Sequence, residues 1–239
     1  ITSVNFSFRS RTSSNVSDFD GDGKSDISVF RPANGIWFVT NSSNGSVGGT
    51  GFGIGTDILA PADFDGDGKT DLAIFRPSTG DWWYLSSING SQINVHWGQV
   101  GDIPRPSDFD GDGKTDFVVY RPSNSVWYRF GSTGQTSILA FGIAEDKPLI
   151  GDFDGDGKSD PAVFRPSTGD WWYASSLQAG QFRTVHWGAN GDIPVPGDYD
   201  ADGKTDFVVF RPSDGGWYIL YSTGSYTIAT FGTGGDKPV

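Results

Sequence analysis

The chain has 239 residues with Lys+Arg 17 against Asp+Glu 29, a formal net charge of -12, and that balance excludes nucleic acid by denying phosphate a basic face. It has no cysteine, which removes disulfide scaffolds, thiolate metal centres and cysteine nucleophiles together. No apolar run reaches the ~18 residues of a membrane span, and a chain that starts Ile1-Thr2-Ser3 without any methionine is expected to have lost an N-terminal segment.

Self-similarity organises the rest. Asp-x-Asp-x-Asp-Gly-x-x-Asp, with Ala for the residue before the third Asp in the last copy, starts at Asp18, Asp63, Asp108, Asp152 and Asp198, a spacing of ~45 residues. Arg-Pro keeps the same phase at Arg31, Arg76, Arg121, Arg165 and Arg211, and Phe-Gly or Trp-Gly closes each unit at Phe52, Trp97, Phe141, Trp187 and Phe231. The units run approximately over 14–53, 59–98, 104–142, 148–188 and 194–232.

In chain order, Ile1 to Phe8 is a candidate additional strand. The second unit shows the pattern most openly: Asp71 to Arg76 is apolar and β-branched and is closed by Pro77, Trp82 to Ser86 follows a Ser-Thr-Gly turn, and Gln92 to Trp97 alternates with period two. A short fourth strand is expected before each Asp loop, near Arg105 to Asp108. At the C-terminus, Gly235 to Val239 repeats the linker of Gly101 to Pro104. Four short antiparallel strands per ~45 residues is the arithmetic of a propeller blade. The prediction is an all-β, five-bladed β-propeller of four-stranded antiparallel blades, forming a single domain over residues 1–239. A piece of a larger propeller is the open alternative.

Glu145 is the sole glutamate, so 28 acids are aspartates, and twenty of them lie in the five loops. Carboxylates at loop positions 1, 3, 5 and 9, a Gly at position 6 for the sharp turn and a backbone carbonyl at position 7 make a hard, oxygen-only cage. Such a cage suits Ca²⁺ better than zinc or magnesium. Five Ca²⁺ sites are predicted: Asp18, Asp20, Asp22, Lys24 and Asp26; Asp63, Asp65, Asp67, Lys69 and Asp71; Asp108, Asp110, Asp112, Lys114 and Asp116; Asp152, Asp154, Asp156, Lys158 and Asp160; Asp198, Asp200, Asp202, Lys204 and Asp206. Each lysine contributes its carbonyl. Grouped carboxylates repel without a cation.

Features present in every unit are expected to be scaffold, among them the Arg-Pro arginines and Trp37, Trp83, Trp127, Trp172 and Trp217. Features confined to the second and fourth units are candidates for a ligand site: Asp81, Trp82 and His96, and Asp170, Trp171 and His186. An aromatic platform beside a carboxylate and a histidine is equipment for stacking on a sugar ring and bonding its hydroxyls. The competing reading packs Trp82 and Trp171 under a loop and makes the two histidines structural. Neither a Ser-His-Asp order nor paired glutamates can be read here, so no enzyme is predicted and no catalytic residue is assigned.

The order Phe141-Gly142, Pro148, then Asp152 to Asp160 resembles the FG-GAP and VCBS-type repeats of secreted bacterial proteins and of the integrin α-subunit propeller, and the resemblance runs from about Val16 to the C-terminus. It implies a calcium-stabilised propeller outside the cell or at its surface, used in adhesion or glycan recognition or as a module of larger exported proteins. The reading is a secreted, calcium-loaded recognition module whose partner is a glycan or an extracellular protein. The alternatives are a structural or assembly module and, behind it, a polysaccharide-degrading enzyme.

Overall fold

The computed structural model describes residues 17–178 and 180–238; the strand expected over Ile1 to Phe8 lies outside them. The described chain is all-β and forms five antiparallel sheets, the blades of a propeller. Blade 1 holds β1 (Ile27–Arg31), β2 (Ile36–Thr40) and β3 (Val47–Gly51). Blade 2 holds β4 (Ile58–Leu59), β5 (Leu72–Arg76), β6 (Asp81–Leu85) and β7 (Gln92–His96). Blade 3 holds β8 (Ile103–Pro104), β9 (Phe117–Arg121), β10 (Val126–Phe130) and β11 (Thr136–Ala140). Blade 4 holds β12 (Lys147–Gly151), β13 (Asp160–Arg165), β14 (Asp170–Ala174) and β15 (Phe182–His186). Blade 5 holds β16 (Ile193–Pro194), β17 (Phe207–Arg211), β18 (Gly216–Leu220) and β19 (Tyr226–Thr230).

The leading strand of blade 3 therefore starts at Ile103, slightly earlier than expected. Pairing resumes at the Ser107–Asp116 bridge beside the Asp loop, so in blades 2 to 5 the loop joins the first two strands, whereas blade 1 has three strands among the described residues instead of the expected four and its loop leads into β1. Two compact units divide the chain, one ending at Ala140 with blades 1 to 3 and one starting at Phe141 with blades 4 and 5.

Aromatic layers between blades form the core inside each unit. Trp37, Phe52 and Ile74 pack between blades 1 and 2. Phe64, Phe75, Trp82 and Phe117 do so between blades 2 and 3, and Phe153, Phe164, Trp171 and Phe207 between blades 4 and 5. Here the structure corrects the tryptophan assignment. Cross-strand register sets Trp37 opposite Phe30, Trp82 opposite Phe75, Trp127 opposite Tyr120, Trp171 opposite Phe164 and Trp217 opposite Phe210. Trp82 and Trp171 are thus the core tryptophans of their blades and fully buried. Trp83 and Trp172 project from the opposite face, as alternation along a strand requires, and are only half-buried. The indole nitrogens of Trp82 and Trp171 donate to the carbonyls of Trp97 and Trp187, each at 2.7 Å.

In blades 2 to 5 the Arg-Pro arginine reaches a carboxylate, as the sequence suggested, while Arg31 of blade 1 lies over the Phe38 ring. Arg76, Arg121, Arg165 and Arg211 make two-pronged bonds to Asp57, Asp102, Asp146 and Asp192. The hairpin turn between the second and third strands needs a left-handed residue: Gly35, Gly80, Gly169 and Gly215 supply it, and Ser125 adopts φ 56° in blade 3. A Cβ on Gly80 would stand 2.3 Å from the carbonyl oxygen of Gly98.

Candidate functional site

The five Asp loops fold alike because the first aspartate accepts bonds from its own loop's backbone. In the second loop, Gly66 and Gly68 donate to Asp63 at 2.6 and 2.8 Å. Position 9 is tied at both ends: Asp71 accepts from the N–H groups of Phe64 and Ser87. In four loops the carboxylates at positions 1, 3 and 9 offer oxygens within 4.8 Å of one another: Asp63, Asp65 and Asp71; Asp108, Asp110 and Asp116; Asp152, Asp154 and Asp160; Asp198, Asp200 and Asp206. The first loop groups Asp18, Asp20 and Asp22, while Asp26 accepts from Phe19 and Ser42 N–H. In all five loops the position-5 aspartate, Asp22, Asp67, Asp112, Asp156 or Asp202, accepts from a serine hydroxyl of the hairpin of the same blade. The position-7 lysines Lys24, Lys69, Lys114, Lys158 and Lys204 donate their backbone N–H to the position-5 carboxylate.

Burial pushes Asp71, Asp160 and Asp206 up to about 6 and raises Asp63 and Asp152 as well. The Oδ1 atom of Asp65 is buried without a hydrogen-bond partner. A buried acceptor left bare is costly, and a hard cation among these oxygens satisfies it. An all-oxygen donor set of this kind fits Ca²⁺.

Neighbouring loops are also tied to one another. Thr70 N–H donates to the Asp18 carbonyl at 2.7 Å, Thr115 N–H to that of Asp63 at 2.8 Å, and Thr205 N–H to that of Asp152 at 2.7 Å. The stems of Lys69, Lys114 and Lys204 lie over Gly21, Gly66 and Gly155 of the preceding loop, so that a Cβ there would stand 3.0, 2.8 and 2.5 Å from the lysine Cε and the stem would have to shift. Besides its own left-handed backbone, φ 82° at both Gly21 and Gly66, glycine at position 4 thus answers to the next blade's lysine. That requirement is invisible when each loop is read alone.

Of the proposed ligand residues, the structure joins Asp81 to His96 and Asp170 to His186, each pair at 2.8 Å between Oδ1 and Nδ1. They are cross-strand partners, and both imidazoles are 71% exposed. Hydrogen bonds from Thr79 and Thr168, then from the histidines, hold Asp81 and Asp170 below the usual carboxylate range. Trp82 and Trp171 do not join these pairs, because they face the core. Trp83 and Trp172, two residues on from each aspartate, share its face, and both have a buried indole Nε1 with no partner.

In blade 2 this face borders a cleft of about 300 Å³ lined by Trp83, Arg76, Gln92, Asn34 and Phe52 among others. Gly51 of β3 lines it, at the strand position that His96 and His186 occupy in blades 2 and 4. Sequence reasoning missed Trp83 and the cleft. The available signal was the turn glycine: two residues after Gly35, Gly80, Gly169 and Gly215 always stands the core tryptophan.

A family model described as an FG-GAP-like repeat matches residues 18–74 and 108–163. No curated protein matches the sequence. Among solved structures, the chain is similar to an Agrocybe aegerita lectin that recognises non-reducing terminal N-acetylglucosamine (TM-score 0.63, 16% identity, 90% of this chain and 65% of that one). It is also similar to a streptogramin B lyase (TM-score 0.59, 10% identity, 96% and 72%) and to virginiamycin B lyase from Staphylococcus aureus (TM-score 0.57, 9% identity, 93% and 71%). The chain therefore spans just under two thirds of the lectin's length. At such identities the likeness concerns the fold alone, and the same fold carries binding and lyase activities.

Proposed function

We propose that this β-propeller of FG-GAP-like repeats is a calcium-loaded, non-enzymatic recognition module of the cell exterior that binds carbohydrate. The observation that carries the reading is the repeated set of an exposed Asp–His pair and, on the same face, a tryptophan with an unpartnered indole N–H, in blade 2 (Asp81, His96, Trp83) and blade 4 (Asp170, His186, Trp172). Such a set offers an aromatic wall beside a carboxylate and an imidazole that can bond sugar hydroxyls. The cleft beside Trp83 lies at the low end of the ~300–1,000 Å³ range of ligand pockets, which matches one sugar ring rather than a chain. Arg76 is committed to Asp57 by two bonds, so its charge is spent within the blade, and neutral sugars fit better than acidic ones. Calcium supports the exterior location, since loops of this type in extracellular modules bind with dissociation constants of roughly 10⁻⁴–10⁻³ M and fill only where free Ca²⁺ is high.

The test is a glycan array with calcium-loaded wild type, Gly51→Leu and Gly48→Leu. A Cβ at either glycine meets nothing within 4 Å, so both variants should fold, but only Gly51 lines the cleft. Wild-type binding to neutral glycans, lost in Gly51→Leu and kept in Gly48→Leu, is the expected result. Silence from folded wild type removes the carbohydrate reading and leaves an assembly module.

A further inference from the structure

We infer that the third Asp loop is closed by an arginine of the chain itself, Arg129, in place of a metal ion. The inference rests on the calcium reading of the other four loops. Arg129 sits in β10 opposite Val118. The same register position holds Val39 in blade 1, Tyr84 in blade 2, Tyr173 in blade 4 and Ile219 in blade 5, so only blade 3 places a cation there. Its Nη2 donates to Asp110 Oδ2. Its Nε lies 2.8 Å from Asp116 Oδ2, too bent for a hydrogen bond and therefore an ion pair.

Asp110 and Asp116 are two of the three carboxylates that, with Asp108, make up the third cluster. The arginine is largely buried, with 22% of its side chain exposed, and Asp116 is fully buried. A guanidinium is always charged and carries several donors in a fixed fork, which suits it to bridge two carboxylates. Backbone donors bind these carboxylates as they do in the second loop: Phe109 and Ser132 N–H bind Asp116, and Gly111 and Gly113 N–H bind Asp108. The guanidinium supplies the positive charge that its neighbours require from an ion, and it repels a divalent cation that would sit a few ångströms away. Two like unit charges ~4 Å apart at an effective dielectric near 20 already weaken binding on the order of a thousand-fold. The third loop is thus formed whether or not calcium is present, and the chain takes four ions, not five.

The experiment counts calcium per chain by atomic emission after dialysis against ~1 mM Ca²⁺, a concentration that fills extracellular-type sites. The proteins are wild type, Arg129→Tyr (the residue of blades 2 and 4) and Arg129→Gln, with folding checked by near-UV circular dichroism. Four ions in wild type and five in either folded variant are expected. Five ions in wild type, or an equal count in wild type and a folded variant, overturn the assignment. Absence of calcium from every form removes the calcium reading of the function and this inference with it.

Discussion

Metal-free protein should gain stability as pH falls from 7 to 5, the reverse of the calcium-loaded form. Asp71, Asp160 and Asp206 are fully buried, and burial raises each to about 6 from 3.8. A carboxylate whose folded value lies above its unfolded one stabilises the fold in its protonated form. That contribution is complete below the unfolded value and is lost as pH rises through about 6. Linkage over pH 7 to 5 gives about 1.3 kcal/mol per group and on the order of 4 kcal/mol for the three. For a chain of this size that is a rise in Tm of roughly 8–16 °C. Calcium needs the ionised carboxylates, so the loaded protein should lose ions and stability over the same interval. Thermal melts at pH 7, 6 and 5, with excess EDTA or with millimolar Ca²⁺, check both slopes, and Asp71→Asn should remove about a third of the metal-free gain. An EDTA-treated Tm that is flat or falling towards pH 5 would refute the reasoning.

Two mutational predictions follow from the packing. Trp82→Ala should destabilise by about 3–5 kcal/mol, a large aromatic deletion in a filled core, whereas Trp83→Ala should cost clearly less and abolish glycan binding; chemical denaturation and a binding assay on both variants separate the roles. Arg211→Ala strands the buried Asp192 carboxylate, which it holds with two 2.8 Å bonds, and should cost about 3–5 kcal/mol at neutral pH. Part of that loss should be recovered by Asp192→Asn in the same background, measured as a double-mutant cycle.

The five-fold period, the turn glycines and the loop aspartates were all legible because each is a local requirement repeated in phase. Strand existence followed from composition, and the Arg-Pro arginines were rightly assigned to scaffold. The error at Trp82 and Trp83 has a physical origin. Two adjacent large aromatics satisfy a period-two pattern in either register, and only the left-handed glycine that fixes the hairpin decides which enters the core. Arg129 escaped notice for a related reason. Its chemistry depends on a strand-to-loop approach that links residues 110 and 116 to residue 129, and no spacing within the repeat announces it. The Asp–His pairs were partly legible, since both members were singled out, but their bonding required the register that sets Asp81 opposite His96.

The bonds from Thr70 to Asp18, from Thr115 to Asp63 and from Thr205 to Asp152 turn the loops of each unit into a line of nearest neighbours. In such a line the order of one member is set partly by the next, so disturbance travels by adjacency and fades with distance. On the proposed calcium reading, a loop that loses its ion loosens the threonine and lysine that lean on it, and a neighbouring loop then holds its own ion less firmly. Damage to the second loop is felt on two sides, through Thr70 and through Thr115. Position along the array therefore ranks the aspartates by consequence even where their local surroundings are the same.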